Sequence, residues 1–449
     1  MLNHADTIAA IATPSGNGGV GIIRISGTLV LDIASKLLSK PLSPRTAIYS
    51  PFLDENGEII DSGIAIYFPA PHSYTGESIL ELQGHGGAVV LDMLLRRVLA
   101  LGAIQARAGE FTERAFLNSK LDLAQAEAVA DLISSSTEQS VRSAQKSMQG
   151  VFSQQIQSLV KELIALRVYV EAAIDFVDEE IDFLSDGLIE RRLKALLTQI
   201  EQIQTTAQQG RLLRDGMTIV LAGKPNAGKS SLLNFLAGHD AAIVTEIAGT
   251  TRDVLRERIQ LDGMPLHIID TAGLRDSDKV VEQEGMRRAR AEMVKADKIL
   301  LLIDVRESEI ETAALLATLP ANVEVIRVYN KIDLLTRLPA IESTTNGIAI
   351  YVSIKTGAGL ELLTTHLKQS VGFNASVENV FIARRRHLEA LNAGHEFVEQ
   401  ALSQLQNALA GELVAEDLRQ AQHCLSEITG EFTSDDLLGE IFSNFCIGK

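Results

Sequence analysis

The chain of 449 residues has only two cysteines, Cys424 and Cys446, too few for a disulfide framework, so a reduced, cytoplasmic setting is expected. No apolar run approaches the roughly 18 residues that span a bilayer. Residues 1–10 hold no basic stretch followed by an apolar one, so neither a membrane span nor an export leader is expected. Basic charge is also short: 41 Lys and Arg stand against 58 Asp and Glu, a net −17. That balance argues against a broad grip on a polyanion, and any nucleic acid would be met through a local patch or a second protein. Internal repeats and low-complexity tracts are missing, and so is proline from residues 120–210 and 376–449.

What is present divides into segments. Length suggests about three domains. Residues 1–119 mix β-rich runs (19–25, 63–68, 79–82) with helical stretches (29–38, 89–101) and read as a compact α+β domain. Two glycine loops, 13–19 and 83–87, stand beside Arg24 and Glu81 and are either turns or parts of a ligand site. Residues 120–214 carry apolar positions at helical spacing, among them Leu159, Leu163, Leu166 and Val170. The acidic run Asp175, Asp178, Glu179, Glu180 and Asp182 lacks histidine and fixed ligand spacing, and a solvated helix end is expected over a metal site. Residues 215–375 alternate strand and helix as a doubly wound α/β domain does, and residues 376–449 return to helix. Helices on both flanks suggest one discontinuous helical domain with the α/β unit inserted.

The chemistry concentrates in the inserted unit. Gly223-Lys224-Pro225-Asn226-Ala227-Gly228-Lys229-Ser230-Ser231 fits G-x-x-x-x-G-K-[ST] between a buried strand at 218–222 and a helix opening at Ser231. In such a phosphate loop, successive backbone N–H groups point at phosphate oxygens. Lys229 is expected to reach the β- and γ-phosphates and Ser230 to ligate Mg²⁺. A second strand ends at Asp270-Thr271-Ala272-Gly273, in which the carboxylate holds Mg²⁺ through water and Gly273 senses the γ-phosphate. A third ends at Asn330-Lys331-Ile332-Asp333, whose last carboxylate accepts two N–H groups of guanine that adenine does not offer. Ser353-Ile354-Lys355 follows a fourth strand and suits the loop beside the base. The ordered set predicts GTP rather than ATP. Thr245-Glu246-Ile247-Ala248-Gly249-Thr250-Thr251 occupies the place of a first switch loop, with Thr251 or Thr250 offering a hydroxyl to Mg²⁺. Leu274 stands where Ras-like enzymes carry a water-orienting glutamine. Glu282 is the candidate acid or base in its stead, although on spacing alone it, like Glu284, equally reads as a surface glutamate.

These motifs, with Asp6-Thr7-Ile8, Arg24-Ile25-Ser26-Gly27, Leu80-Glu81-Leu82-Gln83-Gly84-His85-Gly86-Gly87 and the terminal Phe445-Cys446-Ile447-Gly448-Lys449, resemble the MnmE (TrmE) family of bacterial tRNA-modification GTPases from residue 1 to residue 449. The resemblance implies an α+β folate-binding N-terminal domain that dimerises, a discontinuous helical domain and an inserted Ras-like P-loop GTPase domain. It further implies a potassium-stimulated hydrolase in which Asn226, main-chain groups of Thr245 and Ile247, and Thr250 hold K⁺, with Glu282 catalytic beside Lys229.

The same resemblance assigns Arg24, Glu81, Lys120 and Lys449 to a 5-formyl- or 5,10-methylene-tetrahydrofolate. It implies a homodimer that works with the flavin-bearing partner MnmG (GidA), in a heterotetramer or larger complex. Together they would install an aminomethyl or carboxymethylaminomethyl group on the wobble uridine of certain tRNAs. Cys446 is then either a thiol near the one-carbon site or an inert buried one, and Cys424 is expected in the core. The cluster Arg384, Arg385 and Arg386 reads equally as a phosphate contact or a solvated helix start. A competing reading is a GTP-dependent ribosome-assembly switch without one-carbon chemistry. The acidic helical C-terminal segment, in place of a basic RNA-binding module, speaks against it.

Overall fold

The computed structural model describes residues 6–175, 187–239, 256–270, 290–344, 347–374, 380–408, 410–431, 435–443 and 445–448. The chain forms two compact units, Met1–Ile133 with Ser147–Thr198 and Ala390–Lys449, and Ser134–Lys146 with Gln199–Glu389.

In the first unit β1 (Ile8–Ile11), β2 (Gly18–Ser26), β3 (Ile48–Leu53), β4 (Ile59–Phe68), β5 (Ile79–Gly86) and β6 (Ile104–Gln105) form one sheet in the order β3-β4-β5-β2-β1-β6. The helices α1 (Val30–Leu37) and α2 (Ala88–Ala100) cover one face. There Ile23, Ile25, Leu80 and Leu82, alternate residues of neighbouring strands, pack against Ile33, Leu37, Leu94 and Val98. Each such side chain, removed from water, contributes about 2 kcal/mol. The glycine run after Glu81 is not a loop, as its composition suggests, because residues 83–86 continue β5. Backbone approach explains it: a Cβ on Gly86 would stand 2.6 Å from the carbonyl oxygen of Gly18 on β2. β1, β3 and β6, too short or irregular in pattern to be read from sequence, complete the sheet.

The remaining elements of this unit are helical: α3 (Glu110–Leu117), α4 (Leu123–Ser134) and α6 (Val151–Asp175) from the first flank, and α11 (Arg385–Ala408), α12 (Gly411–Thr429) and α13 (Asp435–Ser443) from the second. α12 packs along α6, and Arg167 Nη1 donates to Gln422 Oε1 at 2.8 Å. The boundary between the units falls inside α7 (Leu188–Asp215) and inside α11, while most of α5 (Glu138–Met148) belongs to the second unit.

In the second unit seven strands run in the order β12-β13-β11-β10-β7-β9-β8. They are β7 (Met217–Gly223), β8 (Arg256–Leu261), β9 (Met264–Asp270), β10 (Lys298–Asp304), β11 (Glu324–Asn330), β12 (Ala340–Thr344) and β13 (Gly347–Tyr351). The five central strands are parallel, and the edge strands β8 and β12 are antiparallel to their neighbours. The helices α8 (Lys229–His239), α9 (Glu309–Leu316) and α10 (Leu360–Ser370) alternate with them in a doubly wound arrangement. Buried on both faces, β10 reads Ile-Leu-Leu-Leu-Ile without alternation, as parallel central strands do. Among the described residues no helix is long and apolar enough to cross a membrane.

Candidate functional site

The loops that follow the C-terminal ends of the parallel strands carry the phosphate loop and the runs 330–333 and 353–355, where open α/β sheets bind ligands. β7 leads into the loop 224–228 and α8, and three residues of this turn have left-handed backbone: Gly223 (φ +137°), Asn226 (+64°) and Gly228 (+110°). Gly228 has no alternative, because a Cβ there would lie 2.4 Å from Asn330 Nδ2 and 3.3 Å from Ile354 Cδ1. Lys229 is buried, and its Nζ donates to the carbonyl oxygens of Gly223 (2.8 Å) and Lys224 (3.0 Å), which places the ammonium across the loop. Ser230 and Ser231 are exposed on the first turn of α8, and Ala227 is buried beneath the loop.

Asn330, buried at the end of β11, joins three loops. Its Nδ2 donates to the carbonyl of Ala227 (2.9 Å), and its Oδ1 accepts from the N–H of Lys331 (2.8 Å) and of Ile354 (3.1 Å). Asp333 Oδ1 accepts from Ser353 Oγ at 2.6 Å, which fixes one carboxylate oxygen, and Ser353 is fully buried. Ile332 is buried behind the loop and Lys355 is exposed at its rim. The loops that the sequence assigns to phosphate and base are thus stitched together by the amide of one side chain.

Asp304 is a residue of this cluster that motif reading passes over. It ends β10 next to Asn330 in register and receives Lys331 Nζ at 2.8 Å and Arg306 Nη2 at 2.7 Å. The hydrogen bonds from Arg306, then that from Lys331, outweigh burial and hold its carboxyl far below the usual range. The signal in the sequence is an apolar strand ending in a lone aspartate, the same pattern as Asp270 on β9. Lys224 also has partners, Glu307 (3.1 Å) and Glu311 (3.0 Å). Glu311 completes the capping box of α9 with Ser308, so the phosphate loop is tied to a helix N-terminus.

Asp270 ends β9 beside Leu221 of β7. Thr245, Glu246, Ile247, Ala248, Gly249, Thr250, Thr251, Thr271, Ala272, Gly273 and Glu282 lie outside the described residues, as do Lys449 and Asp178, Glu179, Glu180 and Asp182 of the acidic run.

In the first unit Arg24 of β2 stands opposite Glu81 of β5. Its Nε and Nη2 both reach Glu81 Oε1 at 2.9 Å, and the guanidinium lies 5.7 Å from the Tyr74 ring and 5.8 Å from the Phe111 ring. Arg24 Nη1 also donates to the carbonyl of Gly448 at 3.4 Å. Lys120 is exposed and makes no hydrogen bond to either; its stem passes Gly76, where a Cβ would lie 3.2 Å from Lys120 Cε. Both meet the segment 74–77, which Asn118 Nδ2 ties down through the Thr75 carbonyl at 2.7 Å. Beneath it runs a network the sequence does not announce: Ser26 Oγ donates to Glu77 Oε2 (2.7 Å), and buried Arg114 pairs with Glu77 and Glu110 (3.1 Å each).

The C-terminal tail is held beside Arg24 by backbone pairing, since Ile447 bridges Ala108 and the Gly109 N–H donates to the Cys446 carbonyl at 3.3 Å. Cys446 itself is exposed, so the alternative of a buried thiol is overturned: Phe445 takes the buried position beside Phe442, and the next residue points out. Cys424 is half-buried rather than core, and burial pushes its thiol pKa up. Arg385 opens α11 exposed and paired with Glu389 at 2.7 Å. Among the described residues no three His, Cys, Asp or Glu side chains gather as a metal site.

Residues 7–120 match the family model described as GTP-binding protein TrmE N-terminus, and residues 123–446 match the MnmE helical domain. The chain is 56% identical over 445 residues to the tRNA modification GTPase MnmE of Hydrogenovibrio crunogenus, with 99% of each chain covered. It is 57% identical to the protein of that name from Histophilus somni over 450 residues, again with 99% of each covered. To the one from Sodalis glossinidius it is 57% identical over 454 residues, covering 100% of both. Matching models on both flanks and identity along the whole length leave one assignment: this chain belongs to the MnmE family of tRNA modification GTPases.

Proposed function

We propose that this chain is a potassium-stimulated GTP hydrolase that works as a homodimer in the cytoplasm with the flavin-dependent partner MnmG. Together they install an aminomethyl or carboxymethylaminomethyl group at C5 of the wobble uridine of certain tRNAs. The observation that carries the nucleotide reading is Asn330, whose amide joins the phosphate loop to both loops assigned to the base. The domain limits proposed are 1–119 for folate binding and dimerisation, 120–214 with 376–449 for the helical domain, and 215–375 for the GTPase.

In this reading Asp333 accepts the guanine N1–H and N2–H₂. Its Oδ1 also accepts from Ser353 Oγ, with a lone pair left over for the base, so the side chain is oriented before the base arrives. Lys229, now bonded to two loop carbonyls, exchanges them for β- and γ-phosphate oxygens, while the loop N–H groups hold the rest of the anion. The exposed Ser230 hydroxyl, one residue after Lys229, has the chemistry Mg²⁺ prefers, with Thr251 as the second proposed ligand. Asn226, Thr245, Ile247 and Thr250 are the proposed K⁺ ligands, and Asn226, exposed on the loop, has a side-chain carbonyl oxygen of the kind K⁺ takes. Mg²⁺ and K⁺, when bound, neutralise charge that develops on the phosphates. Glu282 is proposed to orient or deprotonate the attacking water. Arg24, Glu81, Lys120 and Lys449 are proposed to hold the tetrahydrofolate, with Arg24 already held between Glu81 and two aromatic rings.

The test is steady-state GTP hydrolysis in K⁺ against Na⁺ at equal ionic strength, followed by Asp333→Asn assayed with GTP and xanthosine triphosphate. Faster turnover in K⁺ and a shift of preference toward the xanthine nucleotide are expected. Equal rates in the two salts would remove the cation from the mechanism, and unchanged base preference would remove Asp333 from the base site.

A further inference from the structure

We propose that Asp304 is a positioning residue of the guanine pocket, which holds the Lys331 ammonium away from Asp333 so that the Asp333 carboxylate stays free for the base. The assignment rests on the guanine reading of the same site.

Lys331 has left-handed backbone (φ +71°), unusual for a residue with a side chain, and such a conformation persists only where the surroundings fix it. Two contacts do so here. Asn330 Oδ1 accepts the Lys331 N–H at 2.8 Å, and Asp304 Oδ2 accepts from Lys331 Nζ at 2.8 Å. Asp304 is itself immobilised: Arg306 Nε and Nη2 grip its two oxygens at 2.9 and 2.7 Å, and the Arg306 N–H adds a third bond at 3.1 Å. With 13% of its side chain exposed, the carboxylate is a pinned anchor rather than a surface charge.

The electrostatic consequence follows from the order Asn330-Lys331-Ile332-Asp333. Asp333 is the acceptor that the guanine N–H groups need, and its Oδ1 already accepts one hydrogen bond from Ser353. A lysine two residues away, if released, would find that carboxylate the nearest anion within the loop and compete with the base for it. Asp304 supplies the competing anion on the other side, from the strand next to β11.

The full-length protein would be titrated with a fluorescent N-methylanthraniloyl GDP as wild type, Asp304→Asn, Asp304→Glu, Lys331→Ala and the Asp304→Asn/Lys331→Ala double variant. Loss of the anchor is expected to weaken GDP and GTP binding about tenfold, the scale of one charge-assisted hydrogen bond, with kcat at saturating GTP within about twofold of wild type. Asp304→Glu, which keeps the charge, is expected to recover most of the affinity. In the Lys331→Ala background the same Asp304→Asn change is expected to alter affinity by less than about twofold, because the residue acts through the lysine. Binding by Asp304→Asn equal to wild type, or an equal cost with and without Lys331, would overturn the assignment. A wild-type protein that binds no guanine nucleotide would instead overturn the guanine reading on which it stands.

Discussion

Asn330 and Arg24 each centre a polar cluster, but they gather their partners differently. Asn330 holds backbone groups of three loops, so its role is to shape main chain. Arg24 meets a carboxylate side chain, two aromatic rings and one carbonyl, so it presents charge at a half-buried position. The first arrangement tolerates almost no change, because a buried amide that loses its partners strands several donors and acceptors at once. The second tolerates change more easily, since its partners are partly solvated and can find water. A site for an invariant polyphosphate suits the first plan, and a site for a larger organic ligand suits the second.

The comparison sharpens most at Lys229. Lys229→Ala is expected to lower GTP turnover by about 100-fold or more, as loss of a preorganised charge at a phosphoryl centre does, measured by phosphate release at saturating GTP. A residual rate near wild type would mean that the loop carbonyls hold the lysine for structure alone.

Asn330→Ala removes three hydrogen bonds from a buried site and is expected to cost about 3 kcal/mol in the stability of the second unit, read as a shift of its urea midpoint. The nucleotide affinity should fall with it, because Gly228 lies against that side chain and the Ile354 N–H is held by it. Arg24→Ala, by contrast, is expected to weaken tetrahydrofolate binding about tenfold while GTP turnover stays within about twofold. If the arginine variant also stopped hydrolysis, the division of labour between the two clusters would fail.

The smallest effect concerns pH. Burial lowers the pKa of His366 on α10 below its ordinary 6.5. A depressed folded-state value means that the unfolded chain binds the proton first. The stability associated with the neutral ring is therefore complete above about pH 6.5 and is lost as pH falls through the lower folded value. His366→Gln should flatten that part of the profile of melting temperature against pH; an unchanged slope would place its origin at another group.

Legibility in the sequence followed the reach of each interaction. The phosphate loop, Asn330-Lys331-Ile332-Asp333 and Ser353-Ile354-Lys355 were readable because each is a contiguous run at one strand end, and β7, β9, β11 and β13 were readable as apolar runs before them. Asp304 was not readable as a partner of Lys331, because the two residues are 27 positions apart and meet only through strand register. The glycines at 84 and 86 misled for the opposite reason: local composition says turn, while crowding by a neighbouring strand says extended backbone.

The sequence by itself determined the segment order, the alternation that makes the second unit a parallel doubly wound sheet, and the residue types that end its strands. Periodicity and turn chemistry act over a few residues, and they suffice for that. Only the tertiary structure decided that Arg24 faces Glu81, that the tail at 445–448 pairs with residues 108–109, that Cys446 is exposed, and that Asp304 holds Lys331. Each of these depends on which strand lies beside which, and that order is set by the burial of whole faces rather than by any local run of residues.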